Sequence, residues 1–314
     1  MQAGGWPWIF WMNGILGLFV SAALIKLFPG AGKRTREPFD SWGSLSLLSG
    51  YPALLIALTL GAEFGWTSRT VAGWFLLAVV GLGSFLWVEA HAARPLIDVA
   101  MFRRKILAAA LAAVVLSHMI TNPIALCAPI CLQNALGASA VTTGLLLAIL
   151  PLTTVLASPV SGRLADRIDA SKVAAAGLVV VVVVGIACYA ALGKDSALWM
   201  ASAALVLLGV GVGFFTPANQ KIAFASVDQE DYGVLAAMLS SLGTAAGTIG
   251  TTITVALMES AAGPKLWSDP AAFSSAQQFA FVCLVPFGVL AILVAFKSRP
   301  GAEPTAGAAI GVRR

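Results

Sequence analysis

All but three of the nineteen Lys and Arg residues fall in every second connection between nine long stretches that carry almost no charge. The stretches lie near residues 9–25, 43–62, 71–88, 106–128, 140–160, 173–193, 196–218, 234–257 and 274–296. As a helix, each is long enough to cross about 30 Å of hydrocarbon. One class of connection holds Lys26, Lys33, Arg34 and Arg36, then Arg94, Arg103, Arg104 and Lys105, then Arg163, Arg167 and Lys172, then Lys221, and last Lys297, Arg299, Arg313 and Arg314. The other class holds only Arg69, Lys194 and Lys265. Because Lys and Arg are retained on the cytoplasmic side during insertion, the pattern predicts an all-α polytopic protein of the cell (inner) membrane. Its N-terminus is expected outside and its C-terminus in the cytoplasm.

Composition agrees with lipid as the solvent. Hydrophobic residues make up 59% of the chain, charged residues 11%, and the mean hydropathy is +0.90, which excludes an ordinary soluble domain. No Asp, Glu, Lys or Arg occurs between Lys105 and Arg163, enough chain for two spans and a turn. Eight of the nine Trp residues stand at or near predicted helix ends, where amphipathic rings settle among headgroups; Trp74 lies slightly inside. The formal charge of +5 is spread over five cytoplasmic segments, so topology accounts for it and no nucleic-acid partner is expected.

Catalysis is not expected. His118 has no acid or activated nucleophile in reach, and His91 lies in a basic connection, so no hydrolytic constellation is expected. Cys127 and Cys131 are spaced to share a helix face, yet without His or acid ligands they read as small apolar core residues, and neither a metal nor a cofactor is expected. Gly209, Gly211 and Gly213 imitate a dinucleotide fingerprint but lack the soluble strand and helix unit that motif requires.

Several features have mechanistic weight. His118 is the one strongly ionisable side chain deep within a span, about 18 Å along it from Ile106 at 1.5 Å per residue, and Asn122 lies one turn further on the same face. This pair is expected to line a substrate or proton pathway, with Gln133, Thr216 and Asn219 as further candidates near span ends. Glu63 and Glu259 fall at outer helix ends and read as interfacial anchors. Gly243, Gly247 and Gly250, at close to helical spacing, predict a seam where helix backbones approach. Pro123, Pro129, Pro151 and Pro159 are expected to interrupt the fourth and fifth spans.

The connection after the fifth span reads Gly-Arg-Leu-Ala-Asp-Arg from Gly162 to Arg167, and it resembles the loop motif of the major facilitator superfamily. Further segments are similar to the fourteen-helix drug:proton antiporters of that superfamily: Trp6 to Asn13, Arg94 to Asp98 with Phe102 and Arg103, and Leu132 to Gly137 followed by Gly144 and Pro151. The resemblance implies a partial major facilitator fold in which nine transmembrane helices correspond to helices six to fourteen. On it, residues 1–28 would be the last helix of the N-terminal half, 29–105 two linker helices with cytoplasmic connections, 106–297 a C-terminal six-helix bundle, and 298–314 a disordered tail. It also implies that Gly162, Asp166 and Arg167 form a conformational-switch loop, with Gly162 permitting close approach.

The expected partners are the lipid bilayer, a small-molecule substrate, protons, and a separate or missing N-terminal half carrying the coupling residues. The expected function is proton-coupled efflux of small amphipathic compounds by alternating access. The alternative is a non-transporting membrane fragment, or a half-transporter that needs an N-terminal partner.

Overall fold

The computed structural model describes residues 7–27, 41–91, 103–186 and 198–298. Regular structure among the described residues is entirely helical. This is the outcome lipid dictates, because an isolated strand would leave backbone groups without partners in hydrocarbon. Even the β-branched run beginning at Val179 is helical.

Ten α-helices follow in order: α1 (Pro7–Leu27), α2 (Ser41–Phe64), α3 (Arg69–His91), α4 (Lys105–Ile130), α5 (Ala140–Leu147), α6 (Ile149–Arg167), α7 (Ala170–Val179), α8 (Leu198–Phe224), α9 (Tyr232–Ala262) and α10 (Pro270–Lys297). Helix α4 continues as a π-helical turn over Cys131–Ala135, and α7 continues as another over Val180–Ile186. Eight segments are long and apolar enough to cross a membrane, α5 and α6 together forming one of them. The expected sixth span is present as a shorter apolar helix, Ala170–Val183; its part from 187 onward, with Cys188, lies outside the described residues, as does the expected tail from 299 onward, whereas Ser298, expected to open that disordered tail, is buried and its carbonyl accepts from Ser171 Oγ at 2.8 Å.

The described residues divide into two units, helix α1 in the first and residues 41–298 in the second. In the first, α1 exposes Trp8, Trp11, Leu18 and Phe19, an apolar surface that only lipid or another helix can cover. In the second, α2 and α3 form a hairpin closed at Gly50 and Gly81, where a Cβ on Gly50 would stand 2.5 Å from the Leu82 nitrogen.

The remaining helices pack chiefly as α6 on α8, α4 on α9, α7 on α8, α4 on α10 and α9 on α10. Two apolar clusters hold them together. One contains Ile120, Ile124, Leu205, Leu208, Phe281 and Leu284. The other contains Leu107, Leu111, Leu178, Phe215, Leu235 and Ala291. Lipid tails are as apolar as these side chains, so the clusters stabilise through close van der Waals packing rather than release from water. Along α4 the first cluster starts at Ile120 and the second ends at Val114, which leaves Ser117 and His118 in a polar band between them. Large side chains point away from the bundle elsewhere, such as Leu145, Val155 and Leu293, and these form the lipid face.

Proline shapes two of the helices differently from the even interruption expected. Pro151 cannot donate to the Leu147 carbonyl, and the chain turns at Ala148 between α5 and α6. Pro123 and Pro129 instead lie within α4 without ending it.

Candidate functional site: a polar belt between two apolar cores

His118 occupies the middle of α4 with its Nδ1 3.0 Å from the Val114 carbonyl oxygen. A carbonyl only accepts, so Nδ1 carries the hydrogen and donates it, leaving Nε2 as an acceptor in the neutral ring. That edge faces α9 at Gly243: a Cβ there would sit 3.0 Å from Nε2. One turn on, Asn122 donates from Nδ2 to the His118 carbonyl at 3.2 Å and faces Gly247, where a Cβ would come within 2.5 Å of that nitrogen. At Gly250 a Cβ would collide with the Met119 backbone, including the carbonyl oxygen that Pro123 deprives of its helical partner. The three glycines therefore bring α9 against the polar edge of α4, where any side chain would push the helices apart.

Three cavities meet at His118. The first, about 500 Å³, lies between α2, α4 and α9 and includes Thr59, Asn122, Thr244 and Thr248. The second, about 350 Å³, includes Thr121, Thr216 and Asn219. The third, about 300 Å³, brings Asn122 to Leu150 and Leu208. His118, Asn122, Thr216 and Asn219 are thus gathered into one region from α4 and α8.

Asn219 differs from expectation in its surroundings. It is 1% exposed rather than bathed at a helix end; Nδ2 donates to the Ala110 carbonyl at 3.1 Å, and Oδ1 has no hydrogen-bond partner among the described residues. Gln133 stands apart, in the π turn after α4, beside a separate cavity of about 420 Å³ with Asn134, Trp267 and Asp269. Glu259 is exposed, and the Glu63 side chain lies outside the described residues.

At the opposite end of α6 from Pro151, Lys221 of α8 donates from Nζ to Asp166 Oδ1 at 2.6 Å and to the Ala165 carbonyl at 2.8 Å. Arg167 has no ion-pair partner among the described residues. The expected switch loop is part of a helix: Gly162, Asp166 and Arg167 all belong to α6, and a Cβ on Gly162 would meet nothing among the described residues within 4 Å. A second charged contact not foreseen joins Arg104 to Asp228 at 3.9 Å and to the Ser226 carbonyl at 2.6 Å.

The sequence reading also missed the hydroxyl stripe of α9, whose Ser240, Thr244 and Thr248 recur every four residues and share the glycine-bearing side. The signal was available as helical spacing. Less accessible from sequence was Tyr51 of α2, whose hydroxyl donates to the Ser241 carbonyl at 2.7 Å and ties the hairpin to α9. Among the described residues no three His, Cys, Asp or Glu side chains converge on a metal-sized site. Cys127 lies 3.9 Å from the Met258 sulfur inside the first apolar cluster.

Comparison with known sequences places this architecture. The pattern described as Major Facilitator Superfamily matches residues 107–314, two thirds of the chain. The chain belongs to the Major Facilitator Superfamily. Among related superfamily members is the multidrug transporter protein MdtP of Bacillus subtilis, 26% identical over 86% of this chain and 51% of its own length. The multidrug resistance protein Stp of Mycobacterium tuberculosis is 28% identical over 79% of this chain and 46% of its own. The lincomycin resistance protein LmrB of Listeria monocytogenes is 26% identical over 85% and 56%. The chain spans about half the length of the relatives it matches. It is a multi-pass membrane protein of a superfamily of transporters rather than enzymes.

Proposed function

We propose that this chain supplies the C-terminal bundle and two linker helices of a secondary transporter that exports small amphipathic compounds in exchange for protons. Transport proceeds by alternating access, with the cavities around His118 forming this chain's share of the substrate route. The N-terminus lies outside and the C-terminus in the cytoplasm, and five further helices, supplied before this segment or by a separate chain, provide the opposing bundle and the coupling carboxylate. The names of the relatives support efflux, and their lengths support the larger assembly.

One observation carries the proposal. An ionisable ring stands between two apolar cores, at the meeting point of three cavities. Polar groups at that depth are costly in a membrane and persist where a pathway needs them. The Asp166–Lys221 pair, at the membrane end of two neighbouring helices, acts as a two-state latch during the exchange of conformations.

The experiment is export in an efflux-deficient bacterium expressing the complete transporter, profiled over dyes and antibiotics. His118→Ala is expected to lower export at least about ten-fold while membrane abundance stays level, a loss typical of removing one functional polar contact. Unchanged export removes His118 from the mechanism. Expression of this chain alone and together with the upstream helices separates an inert fragment from a half-transporter.

A further inference from the structure

Sulfur gathers at one place in the bundle. Near the end of α4, the Cys127 thiol directs its weak donor at the Met258 thioether of α9, with Sγ and Sδ 3.9 Å apart. Cys131 stands one turn further along. Its backbone N–H donates to the Cys127 carbonyl, so the helix is unbroken between the two cysteines and their side chains share a face, with Cβ atoms about 5–6 Å apart. Cys127, Cys131 and Met258 are 1%, 2% and 1% exposed and belong to the first apolar cluster. Gln277 of α10, fully buried, is hydrogen-bonded to the Cys131 thiol. A buried polar group that fixes a sulfur from behind is the kind of support that orients a metal ligand.

The separation of the first two sulfurs already suits an ion. A metal bonded to both at about 2.3 Å would subtend about 115° across their 3.9 Å, between the tetrahedral and trigonal angles, so α4 and α9 need not move to admit it. Glu259, next to Met258, is exposed, and among the described residues no third His, Cys, Asp or Glu joins the two thiols. Three sulfurs without an oxygen or nitrogen ligand disfavour zinc, which takes four ligands, whereas copper(I) and silver(I) are satisfied by two or three soft sulfurs. A monovalent ion also leaves the apolar cluster uncharged. It replaces the Cys127 thiol hydrogen, the proton goes to water, and Cys131 and Met258 bind through neutral sulfur. Leu266 and Phe273 belong both to this cluster and to the lining of the cavity beside Gln133, which gives the ion a way in from water.

We propose that Cys127, Cys131 and Met258 form a three-sulfur site for a soft monovalent cation of the copper(I) type, with Gln277 holding the Cys131 sulfur in place. Bound there, the ion ties α4 to α9, the two helices that meet at His118. The site requires nothing of the efflux proposal, and either can hold without the other.

The test is titration of the purified chain in lipid nanodiscs with silver(I), a redox-inert stand-in for copper(I), followed by the ultraviolet absorption of the silver thiolate. The background carries Cys188→Ala and Cys283→Ala, which leaves Cys127 and Cys131 as its thiols. One silver ion per chain is expected, with zinc bound at least about a hundred-fold more weakly. Met258→Leu conserves volume and removes only the thioether, so it should weaken silver binding at least about ten-fold while hardly moving the metal-free unfolding temperature. Cys131→Ala should weaken binding by a similar factor. Silver should raise the unfolding temperature of the background chain and leave that of Met258→Leu nearly unchanged. Absence of a one-to-one endpoint, zinc bound as tightly as silver, or undiminished silver binding in Met258→Leu or Cys131→Ala would overturn the inference.

Discussion

Lys221 joins α8 to α6 by lying 2.6 Å from the Asp166 carboxylate, although fifty-five positions separate the two residues in sequence. Their side chains are 46% and 71% exposed, so the pair contributes only about 0.2–1 kcal/mol to stability and is better suited to a latch than a staple. Lys221→Asp should therefore barely move the unfolding temperature and should slow export about five-fold or more in the complete transporter. Combining it with Asp166→Lys should restore most of the rate. Failure of the exchanged pair to restore export would show that the contact is decoration.

Packing at Gly250 gives a prediction independent of function. A valine there would meet the Met119 backbone, which has no flexible end to move aside, and overpacking of this kind costs about 1–3 kcal/mol. Gly144, by contrast, has nothing within 4 Å of an added Cβ and lies in helix α5. Gly144→Ala should leave the protein as stable or firmer by about 0.5–1 kcal/mol. Thermal unfolding in detergent compares the two directly.

The charge pattern yields a topological prediction. Reporter enzymes active only in the cytoplasm, fused after Arg36, Lys105 and Lys172, should all report activity, and one fused after Ser68 should not. Activity after Ser68, with silence after Lys105, would reverse the proposed orientation.

Much of this architecture was legible because membrane insertion acts on local sequence. The apolar stretches at 43–62 and 234–257 became α2 (Ser41–Phe64) and α9 (Tyr232–Ala262), with only their ends extended, since helices run on past the hydrocarbon boundary. His118, Asn122 and the glycines at 243, 247 and 250 were visible singly through depth and spacing. Their mutual contact was not, because it depends on how α4 and α9 cross. Lys221 as the partner of Asp166 was hidden for the same reason. The π turn at Val180–Ile186 left no signature in hydrophobic periodicity, because its residues are apolar on every side and the phase shift of an extra residue does not show.

The most direct measurement is water-borne thiol labelling of Thr248→Cys in a chain whose native cysteines, Cys127, Cys131, Cys188 and Cys283, are replaced by alanine. Only a thiolate in contact with water reacts quickly, so the rate reports whether the belt around His118 is a hydrated cavity. Leu145→Cys, on the 70% exposed lipid face of α5, is the reference. The account predicts that the label reaches residue 248 at least about ten-fold faster than residue 145. Equal, slow labelling at both positions would mean that α4 and α9 enclose a dry seam, and the site described at His118 would not exist.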